Sequence, residues 1–167
     1  MKLLTVAIPC YNSQEYMDKS IRSAISGGDR VEVVVVDDGS KDDTLKIAKK
    51  YQEKFPDIVK VVHQENGGHG EAVNTGIKNA TGLYFKVLDS DDCLGKKALQ
   101  QVLDLLEDMV SKDAGLDMLI SNFMYDKQGA KHKKIMKYKS AMPVGKMFGW
   151  DQLHFGVSQY LLMHSVI

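Results

Sequence analysis

The chain has 167 residues, enough for one domain with a sizeable core and too few for two full ones. Hydrophobic residues make up 44% and charged residues 26%, which excludes the disordered, collagen-like and fibrous classes. Lysine plus arginine and aspartate plus glutamate number 22 each, so the net charge is zero and nothing in the overall electrostatics selects a nucleic-acid partner.

Leu3 to Ile8 is a short apolar run without alternation, as expected of a strand buried on both faces, and Pro9 is expected to end it. The run is too short for a signal-peptide core. Asn12 and Glu15 form a capping-box pattern that opens a helix; Met17, Ile21, Ala24 and Ile25 mark its apolar face, and Gly27-Gly28 its stop. A second buried strand, Val31 to Val36, has valine at five of its six positions and runs into Asp37-Asp38-Gly39-Ser40. Ser40 with Asp43 gives another cap-like start, for a helix through Leu45, Ile47, Ala48 and Tyr51 to Pro56.

Ile58 to His63 reads as a third strand, followed by a glycine-rich loop from Asn66 to Gly70 and a helix carrying Ala72, Val73, Gly76, Ile77 and Ala80 on one side. Leu83 to Leu88 is a fourth strand and delivers Asp89-Ser90-Asp91-Asp92. A long amphipathic helix carries Leu99, Val102, Leu103, Leu106, Met109 and Val110, and Met118 to Phe123 is expected to be a fifth strand. Short buried strands alternating with helical patterns predict an α/β fold with an open, mostly parallel, Rossmann-like sheet flanked by helices.

After Tyr125 the character changes. Lys127, Lys131, Lys133, Lys134, Lys137 and Lys139 cluster around a Gln128-Gly129 turn signal, a pattern that suits a solvated hairpin better than an approach to an anionic lipid. From Phe155 the chain becomes apolar up to Ser165-Val166-Ile167, which suggests a truncated piece, with a naturally buried C-terminus as the alternative. Nowhere are there the roughly 18 consecutive apolar residues of a membrane span. Cys10 and Cys93 are too few for a disulfide framework and are expected to be free thiols in a reducing, cytoplasmic setting.

In an open parallel sheet, ligands bind beyond the carboxyl ends of the strands. Three polar loops fall there: Asp37 to Ser40, Asn66 to Gly70, and Asp89 to Asp92. Any one of them alone suits a turn and helix cap. The last is harder to explain so, because two like charges about 4 Å apart cost roughly 4 kcal/mol at an effective dielectric of 20. Carboxylates spaced i, i+2 at a strand end can share a divalent ion that keeps open positions for phosphate oxygens. The glycine loop matches neither G-x-x-x-x-G-K-[ST] nor G-x-G-x-x-G, but Gly67, Gly68 and Gly70 let backbone amides approach a ligand ahead of a helix N-terminus. His69 reads equally as a polar contact or as a solvated loop residue.

Four blocks together resemble the N-terminal half of family 2 glycosyltransferases, with the GT-A fold. They are Ile8-Pro9-Cys10-Tyr11-Asn12, Val34 to Thr44, Glu65-Asn66-Gly67-Gly68, and Leu88-Asp89-Ser90-Asp91-Asp92, in family order over roughly residues 4 to 92. The resemblance implies a nucleotide site formed by Pro9, Tyr11, Asp37, Asp38, Asn66, Gly67, Gly68, Asp89 and Ser90. Tyr11 would lie against the base, commonly uracil, with Asp37 and Asp38 at base and ribose. It implies Mn²⁺ or Mg²⁺ on Asp89 and Asp91, with Asp92 extending that D-x-D motif. The arginine often found after the glycine loop is missing from Glu71-Ala72-Val73-Asn74.

The implied reaction is inverting transfer of a sugar from a nucleotide-sugar, a UDP-sugar above all, to a saccharide or lipid-linked acceptor in polysaccharide biosynthesis. The implied setting is the inner face of the cell membrane, with peripheral membrane contact in the full protein. Residues 1–125 would be the nucleotide-sugar-binding domain and 126–167 the start of the acceptor side. The family's base, usually in a Glu-Asp pair downstream of the D-x-D, has no match between residues 125 and 167. It is expected beyond Ile167, Asp151 being a weak substitute. Two alternatives stay open: a metal-dependent phosphoryl-transfer or receiver-type domain, and a catalytically silent GT-A binding domain.

Overall fold

A computed structural model of the chain describes residues 1–125, 134–138 and 142–149. The chain divides into two compact units, Met1–Ala114 and Gly115–Ile167. The first holds β1 (Leu4–Cys10), α1 (Met17–Ile25), β2 (Val31–Asp38), α2 (Thr44–Lys54), β3 (Val59–Gln64), α3 (His69–Asn79), β4 (Tyr84–Val87) and α4 (Lys96–Ser111).

Its four strands form one parallel sheet in the order β3-β2-β1-β4. β1 and β2 lie at the centre and are buried along their whole lengths, which is why both read as apolar runs without alternation. On one face Ala72 of α3 packs against Val34 and Val36, with Val62 beside them. On the other, the end of α1 at Gly27 meets Val31 and Leu103 of α4. Arg30 fastens that side: its guanidinium donates to Asp104 at 2.7 Å, Glu107 at 3.1 Å and Gln100 at 2.6 Å.

Glu32 interrupts the valines of β2 because its buried carboxylate has work to do. It accepts from the Thr5 hydroxyl at 2.7 Å and from the Thr81 amide and hydroxyl at 2.8 and 3.0 Å, clamping the turn that leads into β4. A buried carboxylate is tolerated only with partners of this kind.

Pro9 does not end β1; the strand runs on through it to Cys10. The Ala7 carbonyl accepts from the Leu88 amide, so alternate residues of β1 turn their backbone groups toward β4, and Pro9 is the next of them. β4 stops at Val87, opposite Ala7, so no ladder bond is asked of the missing N–H. The fifth strand is also corrected. The strand expected from Met118 begins only at Phe123: β5 (Phe123–Tyr125) pairs antiparallel with β6 (Lys134–Met136) in a two-stranded sheet. The two strands pair as the arms of a hairpin do, and the residues that join them, 126–133, lie outside the described residues. Lys134 and Lys137 are exposed, while Lys127, Lys131, Lys133 and Lys139 lie outside the described residues.

Candidate functional site

Because all four strands are parallel, their carboxyl ends share one edge, and each is followed by one of the four polar blocks. The blocks are joined there by their own side chains. Asn12 has φ 49, a left-handed backbone that asparagine adopts more readily than most residues. Its side-chain oxygen accepts from the Lys41 amide at 2.8 Å, and its amide donates to the Ser40 hydroxyl at 3.0 Å. Neither residue therefore caps the helix expected of it. α1 and α2 begin at Met17 and Thr44 without a side-chain cap bond, because Asn12 and Ser40 bind each other's loops. Gln14 and Ser13 extend the seam, the Gln14 oxygen accepting from Asp43 and the Ser13 amide donating to Thr44 Oγ1 at 2.7 Å.

Asp38 joins the second block to the third. Only 3% exposed, its carboxylate accepts from Gln64 Nε2 at 2.7 Å, the Gly67 amide at 2.8 Å and the Gly68 amide at 2.9 Å. Asn66 returns a bond from its side-chain amide to the Asp38 carbonyl. Burial pushes the Asp38 carboxyl up, but the donors from Gly67, Gln64 and Gly68 outweigh it and hold it below the usual carboxylate range. Gly39, at φ +70, lets the loops close: a Cβ there would sit 2.8 Å from the Asn66 backbone nitrogen. Gly68, at φ 86, ends the loop and starts α3, so His69 and Gly70 belong to the first turn of that helix.

Asp37 is fully buried, and its carboxylate accepts from His63 Nδ1 at 2.7 Å and from the Ser40 amide at 3.3 Å. Tyr11, just past β1, is half-exposed, and Pro9 lies opposite Val36 within the sheet.

The fourth block closes the ring. Ser90 Oγ lies 2.9 Å from Ser13 Oγ, and the Asp89 carbonyl accepts from Ser20. Asp89 Oδ1 is 3.9 Å from His69 Nε2 across the gap from α3. Asp91 and Asp92 are exposed. Among the described residues no three carboxylate, imidazole or thiolate side chains converge to hold a metal on protein ligands alone. What the acidic loop offers is accessible carboxylate oxygens, a hard donor set suited to a divalent cation that draws its other ligands from phosphate and water.

Sequence reasoning passed over Lys86, which is only 4% exposed and sits in β4 behind this loop. Burial pushes its ammonium down to about 8, against the charges of Asp92 and Asp89, which pull it back up. It supplies a positive charge beneath the acidic cluster. The signal was a lone charged residue inside an apolar strand. Cys10 is buried and Cys93 exposed, both free; burial, then Asp37 and Asp42, push the Cys10 thiol up to about 12. Asp151 lies outside the described residues.

Comparison with known proteins agrees with this geometry. The model of the family described as glycosyl transferase family 2 matches residues 5–162. The minor teichoic acid biosynthesis protein GgaA of Bacillus subtilis is 28% identical over 160 residues, covering 92% of this chain and 35% of that protein. Among solved structures, S. aureus TarS 1-349 in complex with UDP-GlcNAc aligns with a TM-score of 0.63 and 32% identity, over 79% of this chain and 37% of that one. The mannosyltransferase PcManGT from Pyrobaculum calidifontis, in complex with GDP-Man and Mn²⁺, aligns with a TM-score of 0.54 and 28% identity, over 60% of this chain and 31% of that one. This chain thus spans about a third of such relatives, and 23% of a longer one. Among the described residues no helix is long and apolar enough to cross a membrane. The parallel sheet flanked by helices, the ring of four blocks at its edge and the family match agree, and the chain belongs to glycosyltransferase family 2.

Proposed function

We propose that this chain is the nucleotide-sugar-binding part of an inverting transferase that moves a sugar from a UDP-sugar to a saccharide or lipid-linked acceptor in polysaccharide biosynthesis at the inner face of the membrane. The observation that carries the reading is the ring itself: four loops, one after each strand, fixed to one another by Asn12, Ser13, Asp38 and Ser90 before any ligand arrives. Such preorganisation is what a site needs if binding energy is not to be lost in ordering loops. The UDP-GlcNAc bound by TarS and the teichoic acid role of GgaA support the donor and product classes.

The nucleotide would lie across the edge, with the base against Tyr11 near Asp37 and Asp38, and the diphosphate toward Asp89. β2 and β4 are two strand spacings apart, about 10 Å. Asn66, Gly67 and Gly68 line the path between, fixed by Asp38. Ser90 is held by Ser13, and Asp89 and Asp91 on either side of it would meet the diphosphate, with Asp92 extending the pair. The donor set fits Mn²⁺ or Mg²⁺, which Asp89 and Asp91 would hold and which would neutralise charge developing on the leaving diphosphate. Lys86 relieves the mutual repulsion of the acids, and His69 stands where a second positive or hydrogen-bonding group can meet a phosphate oxygen. The residues from 126 onward belong, on this reading, to the acceptor side, with the base that deprotonates the acceptor hydroxyl beyond Ile167.

Calorimetry with UDP in Mn²⁺ buffer tests the reading. Wild-type protein is expected to bind and Asp91→Ala to lose the metal-dependent part; equal binding by the two proteins contradicts it. Transfer assays with a UDP-sugar and a saccharide acceptor separate a working enzyme from a silent binding domain.

A further inference from the structure

The Asp37 carboxylate stands where a nucleobase contact is expected, yet it is fully buried and already accepts from His63 and Ser40. The side chain that reaches solvent at this point is His63, whose ring is 54% exposed. The pairing is built into the sheet. His63 is the register partner of Asp37 across β2 and β3, so the ring sits beside the carboxylate at the carboxyl edge. A carboxylate accepts only, so Nδ1 carries the proton in this bond, and in the neutral ring the lone pair is on Nε2. With Nδ1 turned inward, Nε2 lies on the outward edge of the ring, and among the described residues no hydrogen bond engages it. The buried acid thus fixes the orientation of the ring and, in the neutral imidazole, the tautomer that leaves Nε2 as an exposed acceptor.

The geometry points to His63 as the residue that reads the nucleobase, with Asp37 acting through it as a positioning residue. This inference rests on the proposed nucleotide site. A fixed acceptor matches the N3–H of uracil, a donor between two carbonyls, whereas cytosine presents an acceptor at N3. The pair would therefore favour a uridine diphosphate over a cytidine diphosphate.

The test is calorimetry in Mn²⁺ buffer with three probes: UDP, CDP and inorganic pyrophosphate. Wild-type protein is expected to prefer UDP to CDP. His63→Ala should weaken UDP binding about tenfold, within the range expected for one net hydrogen bond, and bring the two nucleotides level. Pyrophosphate binding should not change. His63→Gln, whose amide can turn either a donor or an acceptor outward, should regain affinity without regaining the preference. A UDP-to-CDP ratio that survives His63→Ala, or a parallel loss for pyrophosphate, overturns the inference. Wild-type protein that binds UDP and CDP equally overturns it too while leaving the nucleotide site standing; failure to bind any of the three removes both.

Discussion

Asp38→Ala is the substitution that most directly probes what holds the site together. The carboxylate accepts three hydrogen bonds, from Gln64, Gly67 and Gly68, at 2.7 to 2.9 Å. A bond to a charged group contributes about 1.5–3 kcal/mol, so three would sum to about 4.5–9 kcal/mol in a rigid, dry loop. Asn66 to Gly68 are not buried, and water can reach the freed amides, so the expected net loss is about 3 kcal/mol. With a urea m-value of about 1.5 kcal/mol/M, the unfolding midpoint should fall by about 2 M. Hydrogen exchange adds the local readout, since the Gly67 and Gly68 amides lose their acceptor and should exchange faster well before global unfolding. A midpoint within about 0.3 M of wild type, with both amides still protected, would refute the view that Asp38 anchors the glycine loop.

The same group sets an acid limb. The folded Asp38 carboxyl lies below its ordinary value, so the unfolded chain binds the proton first; the stabilisation is complete above about pH 4 and is lost as pH falls through the folded value. The midpoint difference between wild type and Asp38→Ala should therefore narrow below about pH 4, and a constant difference contradicts the linkage. A thiol reagent at pH 8 should modify Cys93 quickly and Cys10 only on unfolding, because Cys10 is buried and its thiol is pushed up to about 12; rapid modification of both in folded protein contradicts the structure. Glu32→Ala should cost about 2–3 kcal/mol by leaving Thr5 and Thr81 donors without their acceptor, read as a lower urea midpoint, and an unchanged midpoint contradicts that role.

The parallel strands and the loops that follow them were legible because unalternating valine-rich runs and acidic loop residues each have few explanations. What misled was local chemistry overridden by distant partners. Asn12 with Glu15, and Ser40 with Asp43, have capping spacing, yet Asn12 and Ser40 make their bonds across the sheet edge. Spacing reports only on neighbours in sequence. Pro9 was misplaced for a similar reason, since its cost depends on whether a strand stands opposite its nitrogen, and β4 has ended there. Met118 to Phe123 has a strand's composition, but composition does not choose the partner, and the strand that forms pairs with β6. Lys86 and His63 were overlooked because a charge within a strand is meaningful only once burial and neighbours are known.

Paramagnetic broadening by Mn²⁺ in the presence of UDP tests most directly whether a divalent ion joins the acidic loop to a nucleotide's diphosphate. No three protein ligands converge among the described residues, so Mn²⁺ alone should broaden the Asp89 to Asp92 amides only weakly. Adding UDP should sharply increase the broadening there, with effects at His69 and Ser13, and Asp91→Ala should remove it. Broadening at Asp89 to Asp92 that is indifferent to UDP, or that centres elsewhere on the surface, would contradict the account.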